Sequence, residues 1–449
     1  MTGMLSLPTA NASSSQPPIV GFDRGMIFHD DKRDNDYITI RDRQGIIYAM
    51  QAGDRPRVEA LRSIIESERN SSSVKIMMLA LCDAAIARID GDFSHSSNII
   101  LEALHHAGKL GDPDQTINPI LLMLRSIHAG NLMLAGQVRE WADETELLQD
   151  KFYGPLRAYF SNPDLEFRNM EYLKLSVPAR SIDQSSVTGP SIDTVDLDPG
   201  ESEIDNQLQI TAKAAIQIDG EAVTANFATS TVIGSIPFSL QRDHHWPVIG
   251  RFSGLDDASP DPRTEAVVLI PSIKIGQTIL TNQIMTVSRS EDVILGLQQL
   301  TRLRHVTMTD HQLRFGIAAP IACNQRPVIA SYRSGMSMYL LFPISYGGGD
   351  SQAILGIGDN SPEILVINLA SFPRGMAQQS KTEYLATAYG KRAHETISRP
   401  DTVELGGKAV HSNVKFQLGD PAQLPVISTA ALKTFSFSLD LPESMACLR

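Results

Sequence analysis

The stretch that decides the fold is "VTANFATSTVIGSIP", residues 223–237. An apolar strand runs into the small polar turn Ala228-Thr229-Ser230-Thr231 and leaves through a second apolar run. β-branched and aromatic residues at this density indicate strands, and clustered Ser and Thr indicate a turn that bonds nearby backbone. A polar turn between two buried strands must satisfy its hydroxyls inside the fold, so it is a place where chemistry can be held.

The pattern around this turn occurs twice. In the first copy "IQIDG" (216–220) is followed by "AVTANFATS", then "IKIGQTILTN" (273–282), "DVILGLQQL" and "HVTMTDHQLRF". In the second, "FPISYGGG" (342–349) is followed by "AILGIGDNS", "VELGGKAVHSN" (403–413), "LPVISTAAL" and "TFSFSLDL". Ala228 precedes Gly276 by 48 positions, as Asp359 precedes Gly407; Ala228 to Asn282 and Asp359 to Asn413 are both 54. Ala228 to Leu295 is 67 positions and Asp359 to Ile427 is 68. These spacings indicate two copies of one β unit of about 110 residues, with Ala228-Thr229-Ser230 set on Asp359-Asn360-Ser361.

Each copy resembles a lobe of a retropepsin-type aspartic protease. That lobe has a strand entering Asp-Thr-Gly/Ser, a flap hairpin, an apolar strand with Gly and Asn, and an apolar-apolar-Gly segment before a short helix. "VILGLQQL" (293–300) matches the last element, and two fused copies over about residues 207–441 resemble the bilobed arrangement of pepsins. The resemblance implies an aspartic endopeptidase with one catalytic carboxylate from each lobe. Two adjacent carboxylates share one proton, so one activates water while the other polarises the scissile carbonyl. Its catalytic positions fall on Asp359 and on Ala228, which stands where the first Asp is expected; Thr229, Ser230, Asn360 and Ser361 take the role of bracing the two turns. No cofactor is implied, and the substrate would be a peptide or protein bound as an extended strand between lobes and flaps.

The sequence departs from the family at several points. The first turn has Ala for Asp, the second reads Asp-Asn-Ser-Pro, and "VIST" (426–429) has Ser428 where Gly is usual. With one carboxylate missing, the chain is expected to be close to inactive. Two histories fit: an enzyme whose first Asp has been replaced by alanine, favoured by the otherwise well-formed turn, or a natural pseudoprotease that binds peptides or serves as a scaffold. Flap candidates are "GRFSGLDD" (250–257), with Gly250, Ser253 and Gly254, and "TAYGKRAH" (387–394), with Tyr389. His244-His245 indicates a solvated loop rather than a metal pair, and "YGGGD" a hairpin turn, because no helix follows it to make a phosphate loop.

Ahead of the β units, residues 57–175 carry apolar residues at steps of three and four, as in "VKIMMLALCDAAIARI" and "PILLMLRSIHAGNLMLAGQVREW". Gly91 and Gly130, 39 positions apart, suggest a degenerate tetratricopeptide-like helical pair able to recruit a protein; Met77, Met78 and Met123 are expected in its core. Residues 1–56 are expected to be a tail and a short β hairpin turning at "DRQG", and residues 176–206, rich in Ser, Asp, Pro and Gly, a linker or extended arm. The domain sequence is then tail, helical module (57–175), linker, first lobe (207–325) and second lobe (326–449): an α+β multidomain chain, helical first and all-β after.

Composition removes other classes. A net charge of −12 and no basic cluster exclude a nucleic-acid surface, and no apolar run reaches the length of a membrane helix. Cys82, Cys323 and Cys447 stand apart, so neither a zinc site nor a disulfide framework is expected. The small-x-small stretch Ala10-Asn11-Ala12 leans toward export or the periplasm, a cytoplasmic location being the alternative.

Overall fold

The structure is a computed structural model, and it describes Pro18, residues 40–67, 73–159, 173–198, 201–204, 207–253, 264–321, Cys323, 325–332, 337–373, 379–387, 390–419 and 423–449. A helical region comes first: α1 (Ile40–Ala52), α2 (Arg55–Ser67), α3 (Ser73–Ile89), α4 (Phe93–His106), α5 (Pro119–Leu134), α6 (Val138–Leu148) and α7 (Gly154–Tyr159). The "DRQG" segment, expected to turn a β hairpin, lies inside α1. Ile46, Ala49 and Met50 form a buried stripe there, at helical rather than alternating spacing.

Three helical hairpins share one turn. Gly53, Gly91 and Gly136 have φ of +66°, +77° and +68°, the left-handed region that favours glycine after a helix. The amides of Asp54, Asp92 and Gln137 each reach back five residues, to the carbonyls of Ala49, Ala87 and Leu132. The repeat mark is therefore Gly91 with Gly136, whereas Gly130 lies buried within α5. Asp92 caps α4 by accepting from His95 N, and Asn118 caps α5 from Leu121 N with Pro119 in the first turn. Met77, Met78 and Met123 are buried in the helical core with Ile46, Leu81 and Ile100.

Residues 176–206 are an extended arm built into the sheets. The chain here runs through β1 (Leu173–Leu175), β2 (Ser186–Thr188), β3 (Asp193–Asp196) and the hairpin β4 (Glu201–Ile204) and β5 (Gln207–Ile210). β1 pairs with β9 (Val248–Ser253), β2 with β11 (Thr278–Ser288), and β3 with β14 (Gln312–Phe315). Asp193, buried, holds the turn ahead of β11: its Oδ2 accepts from Gln277 N and Thr278 Oγ1, each at 2.8 Å. Asp193→Ala leaves the buried Thr278 hydroxyl and the Gln277 amide without their acceptor and is expected to cost about 2–3 kcal/mol in urea unfolding; a loss under about 0.5 kcal/mol would mean that the arm does not secure this turn.

The first β unit contains β6 (Lys213–Ile218), β7 (Glu221–Phe227), β8 (Gly234–Pro237), helix α8 (Phe238–His244), β9, β10 (Thr264–Ile275), β11, β12 (Val293–Leu295) and helix α9 (Leu297–Leu303), then β13 (Val306–Met308) and β14. The second contains β15 (Val328–Tyr332), β16 (Ser337–Tyr346), β17 (Gly349–Gly356), β18 (Leu365–Leu369), β19 (Lys381–Thr387), β20 (Gly390–Leu405), β21 (Lys408–Leu418) and β22 (Val426–Ser428), then β23 (Phe437–Asp440) and β24 (Met445–Leu448). Both sheets close on themselves. The orders β10-β6-β7-β12-β8-β11 and β20-β16-β17-β22-β18-β21 correspond strand for strand, with β10–β11 and β20–β21 pairing to complete each ring. One apolar core runs through both units.

A separate five-stranded sheet, β24-β23-β13-β14-β3, draws strands from the arm, from the end of the first unit and from the end of the second. Contrary to the sequence expectation, Cys323 and Cys447 are disulfide-bonded, with Cα atoms 5.7 Å apart. Their 124-residue separation hides the pair in the sequence, and the fold closes that distance through β24. Cys82 is free and buried. The helical region rests on the β units through Gln298 Nε2 to Met133 O (3.2 Å) and Arg302 Nη1 to Ala135 O (2.9 Å). No helix among the described residues is long and apolar enough to cross a membrane.

Candidate functional site

Strand register fixes how the two polar turns correspond. The β6–β7 hairpin turns between Ile218 and Glu221, and the β16–β17 hairpin between Tyr346 and Gly349. Following each ladder down from its turn places Phe227 on Leu355, Ala228 on Gly356, Thr229 on Ile357, Ser230 on Gly358 and Thr231 on Asp359. Two other observations give the same register. Leu295 of β12 lies beside Phe227, as Ile427 of β22 lies beside Leu355. Leu297 N donates to Thr231 O at 2.9 Å, as Thr429 N donates to Asp359 O at 3.1 Å.

This corrects the alignment by spacing, which sets Ala228 on Asp359. The tight turns Ile275–Thr278 and Leu405–Lys408 are equivalent, so the path from the polar turn to this hairpin is 48 positions from Ala228 to Gly276 and 50 from Gly356 to Gly406. Extra chain in the second unit offsets the shifted start, so equal spacings arise from unequal parts. The residues missed by sequence reasoning are Gly356, Ile357 and Gly358. Their signal is the count from the preceding hairpin: Gly220 to Ala228 and Gly348 to Gly356 are both 8 positions.

The first turn is held against the second by one side chain. Thr229, fully buried, donates from Oγ1 to Leu355 O (2.7 Å) and accepts from Ile357 N (3.0 Å). Its amide donates to Ile357 O at 2.8 Å. Those partners flank Gly356 on both sides, so Thr229 braces the junction symmetrically about that residue. Ile357 has no hydroxyl and returns no such bond. Gly358, with φ +96°, packs directly on Ala228: a Cβ added there would stand 2.8 Å from the Ala228 Cβ. Only glycine permits this approach.

The other candidate residues spread out from the junction. Ser230 is exposed, and Asn360 accepts from Ile210 N through its carbonyl at 3.0 Å. Asp359 sits in an Asx turn, its Oδ1 accepting from Ser361 N at 3.0 Å. Ser361 donates to Glu363 Oε2 at 2.7 Å. Glu363 and Glu383 hold Lys415 between them at 3.4 and 2.8 Å, an ion cluster set behind the second turn. Gly250 lies mid-strand in β9, flanked by Val267 and Leu175, and a Cβ there would come 2.9 Å from Lys174 O; packing against β1, not flap mobility, accounts for it. Ser253 pairs with Thr264 at the end of the β9–β10 hairpin. The β19–β20 hairpin is its counterpart. Gly254 and Tyr389 lie outside the described residues. His244 bonds Glu221 Oε2 at 2.7 Å and stacks on Trp246, while His245 has the left-handed conformation that ends α8. Among the described residues no group of three or more metal-ligating side chains occurs.

Burial raises the Asp359 carboxyl above its ordinary range, with the Ser361 amide and Lys415 opposing and Glu363 adding to the rise. The fold therefore disfavours the ionised form. Its cost is absent below the ordinary carboxyl range and grows as pH rises through the raised value. Asp359→Asn keeps an acceptor for Ser361 N, so it is expected to raise stability at neutral pH and leave it unchanged in acid. Thermal melts of both proteins across that range check this; equal melting at neutral pH would show that the carboxylate is not penalised.

Chemically, the junction presents a methyl group and a bare backbone where paired carboxylates would be needed. It is able to hold two β units together. Compared with known families and with curated proteins, the sequence matches no family model and no individual protein.

Proposed function

We propose that this chain is a non-catalytic protein built on a duplicated aspartic-protease-like β unit, binding an extended peptide or protein segment and carrying a helical module for recruitment. The observation that carries the proposal is the equivalence of Ala228 with Gly356: both positions that would bear the carboxylates lack one. The closed six-strand rings, the paired β9–β10 and β19–β20 hairpins and the Thr229 brace support the likeness to bilobed aspartic proteases. Asp359 is a turn residue on this reading, and restoring Asp at position 228 alone creates no dyad. A second carboxylate is also resisted, since a Cβ on Gly356 would meet Val426 Cγ1 at 2.5 Å.

The test is peptidase activity. Wild type, Ala228→Asp and Ala228→Asp/Gly356→Asp are incubated with a denatured protein at acid and neutral pH, and extended peptides are screened for binding by fluorescence polarisation. Absence of cleavage together with saturable binding is expected. Cleavage by Ala228→Asp that a statine-type inhibitor blocks would overturn the proposal in favour of an endopeptidase inactivated at one position. The Cys323–Cys447 disulfide supports an exported or periplasmic location, where such bonds persist; thiol labelling of the protein in its native compartment checks this, and two accessible thiols at these positions would refute it.

A further inference from the structure

A cavity of about 540 Å³ lies where the helical region meets the β units, between α4, α5 and α9 and the segment Leu441-Pro442. Its walls are largely apolar, including Phe93, Leu101, Leu132 and Leu441, with Asp92 and Glu140 also lining it. At its base a chain of hydrogen bonds runs from Arg88 through Asn131 and Ser97 to His128. Arg88, a donor only, donates from Nη1 to Asn131 Oδ1. That sets the Asn131 amide so that Nδ2 donates to Ser97 Oγ at 3.2 Å. Ser97 Oγ also lies 3.2 Å from His128 Nδ1, and its hydroxyl is able to donate there.

When Ser97 donates, Nδ1 of His128 is an acceptor and the ring proton sits on Nε2. The imidazole is 7% exposed. Burial, with Arg125 nearby, lowers its pKa to about 4, so it is neutral at physiological pH. Ser97 is its hydrogen-bond partner among the described residues, and Nε2 is not among the fully buried unpartnered atoms. His128 lines this cavity, so a proton on Nε2 is available to a ligand there. On the β side of the same cavity, the Thr301 hydroxyl is buried without a partner among the described residues.

We infer that this cavity is a binding site for a small uncharged ligand that carries a carbonyl acceptor beside a branched apolar group, the carbonyl accepting from His128 Nε2–H. An oriented donor in an apolar pocket selects for an acceptor, because an unpaired buried donor is costly. The Asp92 and Glu140 carboxylates disfavour an anion. None of the residues lining the cavity belongs to the Ala228–Gly358 junction, and the inference does not depend on what binds there.

The test uses the full chain and N-acetyl-L-leucinamide as probe, with N-acetyl-L-leucine as the anionic arm and isoamylamine as the cation lacking a carbonyl. Ligand-observed NMR is expected to give saturable binding of the amide, at least about tenfold tighter than either other compound. Leu101→Glu, at a half-exposed wall position that leaves the core intact, is expected to weaken the amide by about tenfold or more. In protein carrying ¹⁵N-labelled histidine, His128 is expected to show the Nε2–H tautomer, with its Nε2 resonance moving on saturation. No saturable amide binding, an amine that binds as tightly as the amide, or a proton on Nδ1 would each overturn the inference.

Discussion

Replacing Cys323 and Cys447 together by serine will lower the stability of the second β unit by about 4–5 kcal/mol, the chain-entropy value for a closed loop of this length. The bridge spans 124 residues, from the entry of that unit to β24, so the whole ring of β15 to β22 lies within the loop it closes. Both half-cystines are nearly buried, and serine at such sites adds a hydroxyl without an assigned partner. Urea unfolding of wild type, with and without reductant, and of the double serine protein measures the effect. Reductant is expected to shift wild type by about the amount the double substitution does and leave the serine protein unmoved. A difference below about 1 kcal/mol would show that the open chain is already constrained around this loop.

Thr229→Val removes a single oxygen and is expected to cost about 2–4 kcal/mol. Valine matches threonine in shape, so packing is retained. What is lost is a donor to Leu355 O and an acceptor for Ile357 N, and both partners then stay buried without a bond. The two β units meet there, so the loss should appear as uncoupling. Differential scanning calorimetry is expected to resolve one transition into two. Thr229→Ser keeps the oxygen and should cost much less. Thr231→Val, whose hydroxyl bonds to Ile233 O two residues on (2.9 Å), supplies the control for a local bond. Equal losses at 229 and 231 would show that the junction is held by apolar contact and not by the threonine.

Much of the architecture was legible because periodicity is local. Helices α2 to α6 lie where three- and four-residue spacing places them, and β6 alternates buried and exposed positions as its sequence suggests. The first helix was misread because Tyr, Ile and Thr between 37 and 50 favour strands, and only the packing of Ile46 and Met50 on the helical core decides otherwise. The arm looked like a linker because β1, β2 and β3 are three or four residues each and acquire strand character only from partners 75 to 122 positions away. The duplication was visible, but its register was not. Spacings measure sums of segment lengths: two extra residues between the second polar turn and the β20–β21 turn, with Gly407 counted where Gly406 is the equivalent, cancelled a three-residue displacement of the turn. Asp359 drew attention by being an aspartate near the right place, whereas register is set by the ladder, and the ladder selects Gly356.

The sheet that collects β3, β13, β14, β23 and β24 also sets an order of events during synthesis. Val306 pairs with Leu439, 133 positions later. At translation rates of about 5–20 residues per second, β13 waits on the order of ten seconds for its neighbour. Over that interval the first unit carries an open strand edge, the kind of surface to which foreign strands add. The nascent chain is therefore most exposed to mispairing after its first ring has closed, and a chaperone that shields β13 would raise the folded yield.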